Sequence, residues 1–227
     1  MGGEPGDPRH RGRRRARGPP LVAGRFIALE GVDGSGKSTQ AAMLADALEA
    51  RGARVVRTRE PGGTAVGERV REILLSGAPG ELELSAEALL FAAARAELVR
   101  RVIAPAVDAG SWVVCDRFLD SSLAYQGAAR GLGVETVLQV NRLAVDGRLP
   151  DRSLVIDVPV ALATSRRCAT PDRIEAEGDG FLGRVADGYR DLAGMFPDRV
   201  RLVDGTGTRD EVHARVLDAV ADLRGPS

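Results

Sequence analysis

The sequence predicts an α/β fold, with a five-stranded parallel sheet covered by helices on both faces. Three observations carry this. The apolar runs are short and continuous rather than alternating, as in strands buried on both sides. Helical periods separate them, as the crossovers between parallel strands require. The first run ends directly in a glycine-rich turn, and ligands in such sheets bind beyond the carboxyl ends of the strands.

Phe26-Ile27-Ala28-Leu29 is the first strand. Lys37 to Ala50 reads as a helix, with Leu44 and Leu48 four apart and Gly52 just past its end. Arg54 to Thr58, around Val55-Val56, is the second strand. Val66, Val70, Ile73 and Leu74 lie at helical spacing. Ser85 is the expected N-cap of a long helix reaching about Val107. Trp112 to Cys115 is the third strand, followed by helical stretches over about 119–129 and 134–146. Leu154-Val155-Ile156 and Val200 to Val203 are the fourth and fifth strands, and a last helix spans about Arg209 to Leu223.

The 227 residues suit one domain with a sizeable core. Two cysteines, Cys115 and Cys168, lack metal-ligand spacing, which argues against a zinc module or a disulfide scaffold. Two histidines, His10 and His213, leave little room for histidine chemistry. Residues 1–24 are rich in Gly, Pro and Arg and have little apolar surface to bury, so a disordered basic tail is expected there. The domain then runs over 25–227. No apolar run is long enough for a secretory signal or a membrane span, so a cytoplasmic protein is expected. Nucleic acid is an unlikely partner, despite the basic tail.

The turn after the first strand reads Gly31-Val32-Asp33-Gly34-Ser35-Gly36-Lys37-Ser38-Thr39. It fits G-x-x-x-x-G-K-[ST] in full and lies between a strand and a helix, the context the motif needs. Its backbone N–H groups and the helix N-terminus cradle phosphate, Lys37 reaches the outer phosphates, and the Ser38 hydroxyl ligates Mg²⁺. The 32 basic residues include a single lysine, Lys37, at the position where the motif specifies lysine. A guanine-reading switch of the usual N-K-x-D kind needs a second lysine and is excluded. The third strand ends in Asp116-Arg117: the carboxylate suits Mg²⁺ or its water, and the guanidinium suits a second phosphate close to the first.

Beyond the cradle, three further segments stand in order. They are Thr58-Arg59-Glu60-Pro61-Gly62-Gly63-Thr64, then Leu90-Phe91 through Arg95, then Asp116-Arg117 through Ser121-Ser122-Leu123-Ala124-Tyr125-Gln126-Gly127. Asp172-Arg173-Ile174-Glu175 closes the series. With these motifs, residues 25–224 resemble the thymidylate kinases, which are P-loop nucleoside monophosphate kinases. The resemblance implies a three-layer P-loop NTPase fold with a mobile lid at about 165–180. It also implies transfer of the γ-phosphate of ATP to dTMP with Mg²⁺, and a homodimer. Another P-loop deoxynucleotide or deoxynucleoside kinase is the alternative.

The resemblance also implies roles. Phe91 stacks on the base, Arg95 donates to the thymine O4, Ser122 and Gln126 bind the base edge, and Ser121 belongs to the substrate-binding set. Tyr125 closes against the sugar 2′ position, and Asp33 accepts from the 3′-OH. Arg59 and Arg117 bracket the 5′-phosphate, while Glu60 and Pro61 shape a turn toward the ligand. Mg²⁺ falls to Ser38, Asp116 and, through water, Glu175. The phosphate loop holds no arginine, so a lid arginine is expected to complete the cationic set of Lys37 and Arg117. Cys168 and Thr164 stand where relatives carry Arg, which leaves Arg166, Arg167 and Arg173 as candidates.

Overall fold

The computed structural model describes residues 24–166 and 172–224, and only the backbone of Glu175. The expected tail, apart from buried Gly24, and Arg167 of the lid lie outside the described residues. Five strands, β1 (Arg25–Glu30), β2 (Val55–Arg59), β3 (Trp112–Asp116), β4 (Arg152–Asp157) and β5 (Val200–Asp204), form one parallel sheet in the order β2-β3-β1-β4-β5. The central β1 alternates its side chains between two cores. Phe26 and Ala28 pack with Val113, Phe118 and Tyr189 on one face, and Ile27 and Leu29 with Leu44, Ile156 and Val216 on the other.

The helices are α1 (Lys37–Glu49), α2 (Ala65–Leu75), α3 (Leu84–Leu98), α4 (Ala104–Asp108), α5 (Leu119–Ser122), α6 (Val134–Val145), α7 (Val160–Ser165), α8 (Asp179–Met195) and α9 (Arg209–Asp218). The long helix expected from Ser85 starts at Leu84 instead, with Glu83 at the cap and no side-chain cap bond. It is also interrupted: a π-helical stretch, Val99–Ile103, joins α3 to α4. Pro105 lies in the first turn of α4 and has no N–H, so a regular ladder cannot run through it. The last helix ends at Asp218, before a short 3₁₀ turn over Ala221–Arg224.

Two helices escape the sequence reading, α7 and α8. The second is the larger miss. Phe181, Leu182, Val185, Ala186, Tyr189 and Leu192 are buried at a helical period, and this helix covers the sheet face that carries the site. The stretch expected as helix over 119–129 is α5 followed by a π-helical segment, Leu123–Ala129. Its wider turn brings Tyr125 and Gln126 into the same cavity wall as Ser121 and Ser122.

Candidate active site

The site lies at the carboxyl ends of β1, β2 and β3. Gly31, Gly34 and Gly36 of the loop after β1 all have positive φ. At Gly36, φ is 94° although a Cβ there would meet only open space, so backbone conformation alone demands glycine. Gly34 is demanded twice, since a Cβ would also run into the Ala163 carbonyl oxygen of α7.

Lys37, buried at the start of α1, donates to Asp33 Oδ1 at 2.9 Å. Arg117, just beyond β3, donates to the same oxygen at 2.6 Å. Its other donors reach the Gly31 carbonyl (3.0 Å), Ser121 Oγ (3.1 Å), Tyr125 OH (3.2 Å) and Tyr189 OH (3.3 Å). Its φ of 70° is left-handed, a costly conformation for a non-glycine residue that is held by these five contacts. Burial pushes the Asp33 carboxyl up, but the Arg117 and Lys37 cations outweigh it and hold the group well below the usual carboxylate range. Burial, with Arg117 nearby, lowers the Lys37 ammonium.

Beneath this cluster, Glu30 ends β1 with no exposure. It accepts from Phe118 N (2.8 Å), Ser121 Oγ (2.5 Å) and Tyr189 OH (3.0 Å). Burial, and then the neighbouring Asp120, push it up to about 7. Asp116 Oδ1 is buried and has no hydrogen-bond partner among the described residues.

A cavity opens beside Asp33 and Arg117. Its walls include Glu60, Pro61, Phe91, Ser121, Ser122, Tyr125 and Gln126, so the structure brings together most of the expected acceptor residues. Arg95 lies beneath this wall with no exposure. It donates to Glu60 Oε2 (2.6 Å), Asn141 Oδ1 (2.5 Å), the Phe118 carbonyl (3.2 Å) and Ser122 Oγ (3.0 Å). Glu60 is pushed up to about 7 by burial, against the opposing pull of Arg95. Arg59 does not line the cavity; half-exposed, it pairs with Glu68 at 2.8 Å.

On the other side of the loop, Arg166 is exposed and lines a second pocket with Ser35, Gly36, Thr39, Gln40 and Arg209. Ser38 and Thr39 are exposed at the start of α1. Arg173 is elsewhere: it is buried, and donates to the Leu74 carbonyl (2.9 Å) and Glu87 Oε2 (2.6 Å).

Sequence reasoning passed over Arg71 and Leu75, which also line the cavity, as do Asp172 and Ile174 of the last motif. Arg71 donates to the Pro61 carbonyl at 3.1 Å, which orients it across that wall. It is one of two arginines on amphipathic α2, so spacing carried no signal for it. Glu30 did carry one, as a charged residue ending an otherwise apolar strand.

The family described as Thymidylate kinase matches residues 29–216. The chain is similar to the thymidylate kinase of Rhizorhabdus wittichii, with 52% identity over 89% of this chain and 99% of that protein. It is 51% identical to the thymidylate kinase of Pelotomaculum thermopropionicum, over 89% of this chain and 95% of that one. A crystal structure of thymidylate kinase from Ehrlichia chaffeensis is similar with a TM-score of 0.71 and 35% identity, covering 87% of this chain and 99% of that one.

Proposed function

Because the chain belongs to the thymidylate kinase family, we propose that it transfers the γ-phosphoryl group of ATP to the 5′-phosphate of dTMP, giving dTDP and ADP. The observation that carries the reading is the shared cluster of Lys37, Asp33 and Arg117, which stands between the phosphate loop and the acceptor cavity. Two anions could meet there in line, with cations between them.

An oxygen of the acceptor phosphate bonds to the γ-phosphorus as the bond to the β–γ bridging oxygen breaks. That phosphate is already largely ionised at neutral pH, so no general base is needed. Asp33 would serve poorly as one, because its two cations keep it charged and weakly basic. This favours a monophosphate over a nucleoside acceptor. Lys37 and Arg117 balance the charge that spreads over the transferring group. Asp33 Oδ2 and the Tyr125 hydroxyl, 3.3 Å apart, form a polar edge suited to the sugar. Phe91 offers a face for the base. Among the described lid arginines, Arg166, exposed beside the loop, is the one positioned to meet the donor.

Mg²⁺ fits the residues present: Asp116 offers a buried oxygen without a protein partner among the described residues, and Ser38 offers an exposed hydroxyl. When bound, the ion would neutralise charge on the β- and γ-phosphates. Glu175 remains a further candidate by resemblance. A homodimer is supported by exposed Ile73, Leu89 and Leu143 on α2, α3 and α6. No helix among the described residues is long and apolar enough to cross a membrane. The charged substrates accord with a cytoplasmic location.

A panel of nucleoside monophosphates with ATP and Mg²⁺, read as ADP release and as product diphosphate, tests the reading. We expect dTMP to be the best acceptor. A preference for dCMP or GMP, or for thymidine itself, would overturn it.

A further inference from the structure

Glu87, on the first turn of α3, is fully buried. Its carboxylate gathers donors from two other parts of the chain. Oε1 accepts from Gln126 Nε2 at 2.9 Å and from Arg130 Nε at 2.7 Å, both on or just after the π-helical segment. Oε2 accepts from Arg173 Nη2 at 2.6 Å, in the segment that follows residues 167–171. Arg130 also pairs with Glu177 at 2.8 Å, so its charge has a second partner.

A carboxylate between two guanidinium groups only accepts hydrogen bonds. It therefore fixes which end of the Gln126 amide faces it: the NH₂ group. The Gln126 side chain is buried in the acceptor wall, and this orientation presents one N–H and the carbonyl oxygen as its remaining polar edge. That edge complements thymine, whose N3–H donates and whose O4 accepts. A flipped amide would suit cytosine, whose N3 accepts and whose N4 amino group donates. A primary amide can present either pattern, so selectivity requires something to stop the flip.

We propose that Glu87 is a positioning residue that locks the Gln126 amide in the orientation that reads thymine and rejects cytosine. The proposal rests on the acceptor reading above and adds a role to a residue that touches no substrate. It also ties this lock to the lid segment through Arg173.

The test compares kcat/KM for dTMP and dCMP in the wild type and in Glu87→Gln. The near-isosteric amide places an NH₂ group against Arg173 or against Gln126 and Arg130. We expect the dTMP-over-dCMP preference to fall at least tenfold, through a higher KM for dTMP and a lower one for dCMP. A merely structural role would reduce both nucleotides alike, and an unchanged ratio in folded variant protein overturns the proposal. Should the variant not fold, the wild type still decides. In ¹⁵N-labelled protein the Gln126 side-chain NH₂ should exchange with solvent at least tenfold more slowly than exposed glutamine amides; exchange at the free rate overturns the lock. A wild type with no preference for dTMP would instead refute the proposed function, which separates the two failures.

Discussion

The two sides of the phosphate loop are built differently. On the acceptor side, polar groups are buried and bonded to one another before any ligand arrives. Arg95, Glu87, Glu30 and Asp120 have no exposure, and each holds several partners. On the donor side, Ser38, Thr39, Arg166 and Arg209 are exposed, and the cradle is mainly backbone. The difference has a physical reason. Recognition of one base needs donors and acceptors fixed in advance, because a site with unpaired buried groups rejects the wrong ligand strongly. A triphosphate is recognised by charge and by N–H groups, which tolerate an open, solvated setting.

This contrast is open to attack from its largest expected effect downward. Arg166→Ala should lower kcat by roughly 10³-fold or more while the KM for dTMP changes little, as for an arginine delivered to the transferring phosphoryl group. Arg173→Ala should behave oppositely, lowering melting temperature and raising the KM for dTMP, because it is buried against Leu74 and against Glu87, which in turn holds Gln126 of the cavity wall. Steady-state kinetics on both variants decides which arginine serves which side, and equal kcat losses would erase the distinction.

Lys37→Ala should cost at least ~3 kcal/mol in kcat/KM, measured for both substrates, since in the proposed reaction it would neutralise the transferring group while paired with Asp33. Activity near wild type would remove the shared cluster from the mechanism. Replacing Tyr125 with Ala should raise kcat/KM for the ribonucleotide relative to dTMP by about tenfold, one lost steric and polar contact. A constant ratio would take Tyr125 out of sugar selection.

The smallest effect is on stability. The folded-state pKa of Glu60 lies near 7, above its ordinary 4.5, so the folded protein holds this proton more tightly than the unfolded chain. The resulting stabilisation is complete below about 4.5 and is lost as pH rises through about 7. Glu60→Gln removes that titration. Denaturant unfolding at a series of pH values should show wild-type stability falling relative to the variant by about 1–3 kcal/mol across that window. A flat difference would mean that Arg95 keeps Glu60 ionised throughout.

Much of the site was legible because its signals are local. The cradle declares itself through glycines at fixed spacing, a single lysine and a flanking strand and helix. Strands β1, β3 and β4 were legible as continuous apolar runs because both of their faces are buried. Local pattern could also place Ser122, Tyr125 and Gln126 near one another in sequence, with Phe91 on an earlier helix. Their convergence on one wall needed the π-helical widening at Leu123–Ala129, a hydrogen-bond shift that no residue pattern announces.

The amino-acid sequence by itself determined the layer architecture, the phosphate loop and the family, since these rest on period, glycine geometry and contiguous motifs. Tertiary structure alone decided which charges meet. Arg59 ends β2 and Arg117 directly follows β3, yet one pairs with Glu68 at the surface and the other joins Asp33 at the centre. Arg166 and Arg173 lie seven positions apart, yet one is exposed beside the phosphate loop and the other is sealed against Glu87. A charged side chain acts through partners brought from distant elements, 86 positions away for Glu87 and Arg173, and packing rather than spacing sets that pairing.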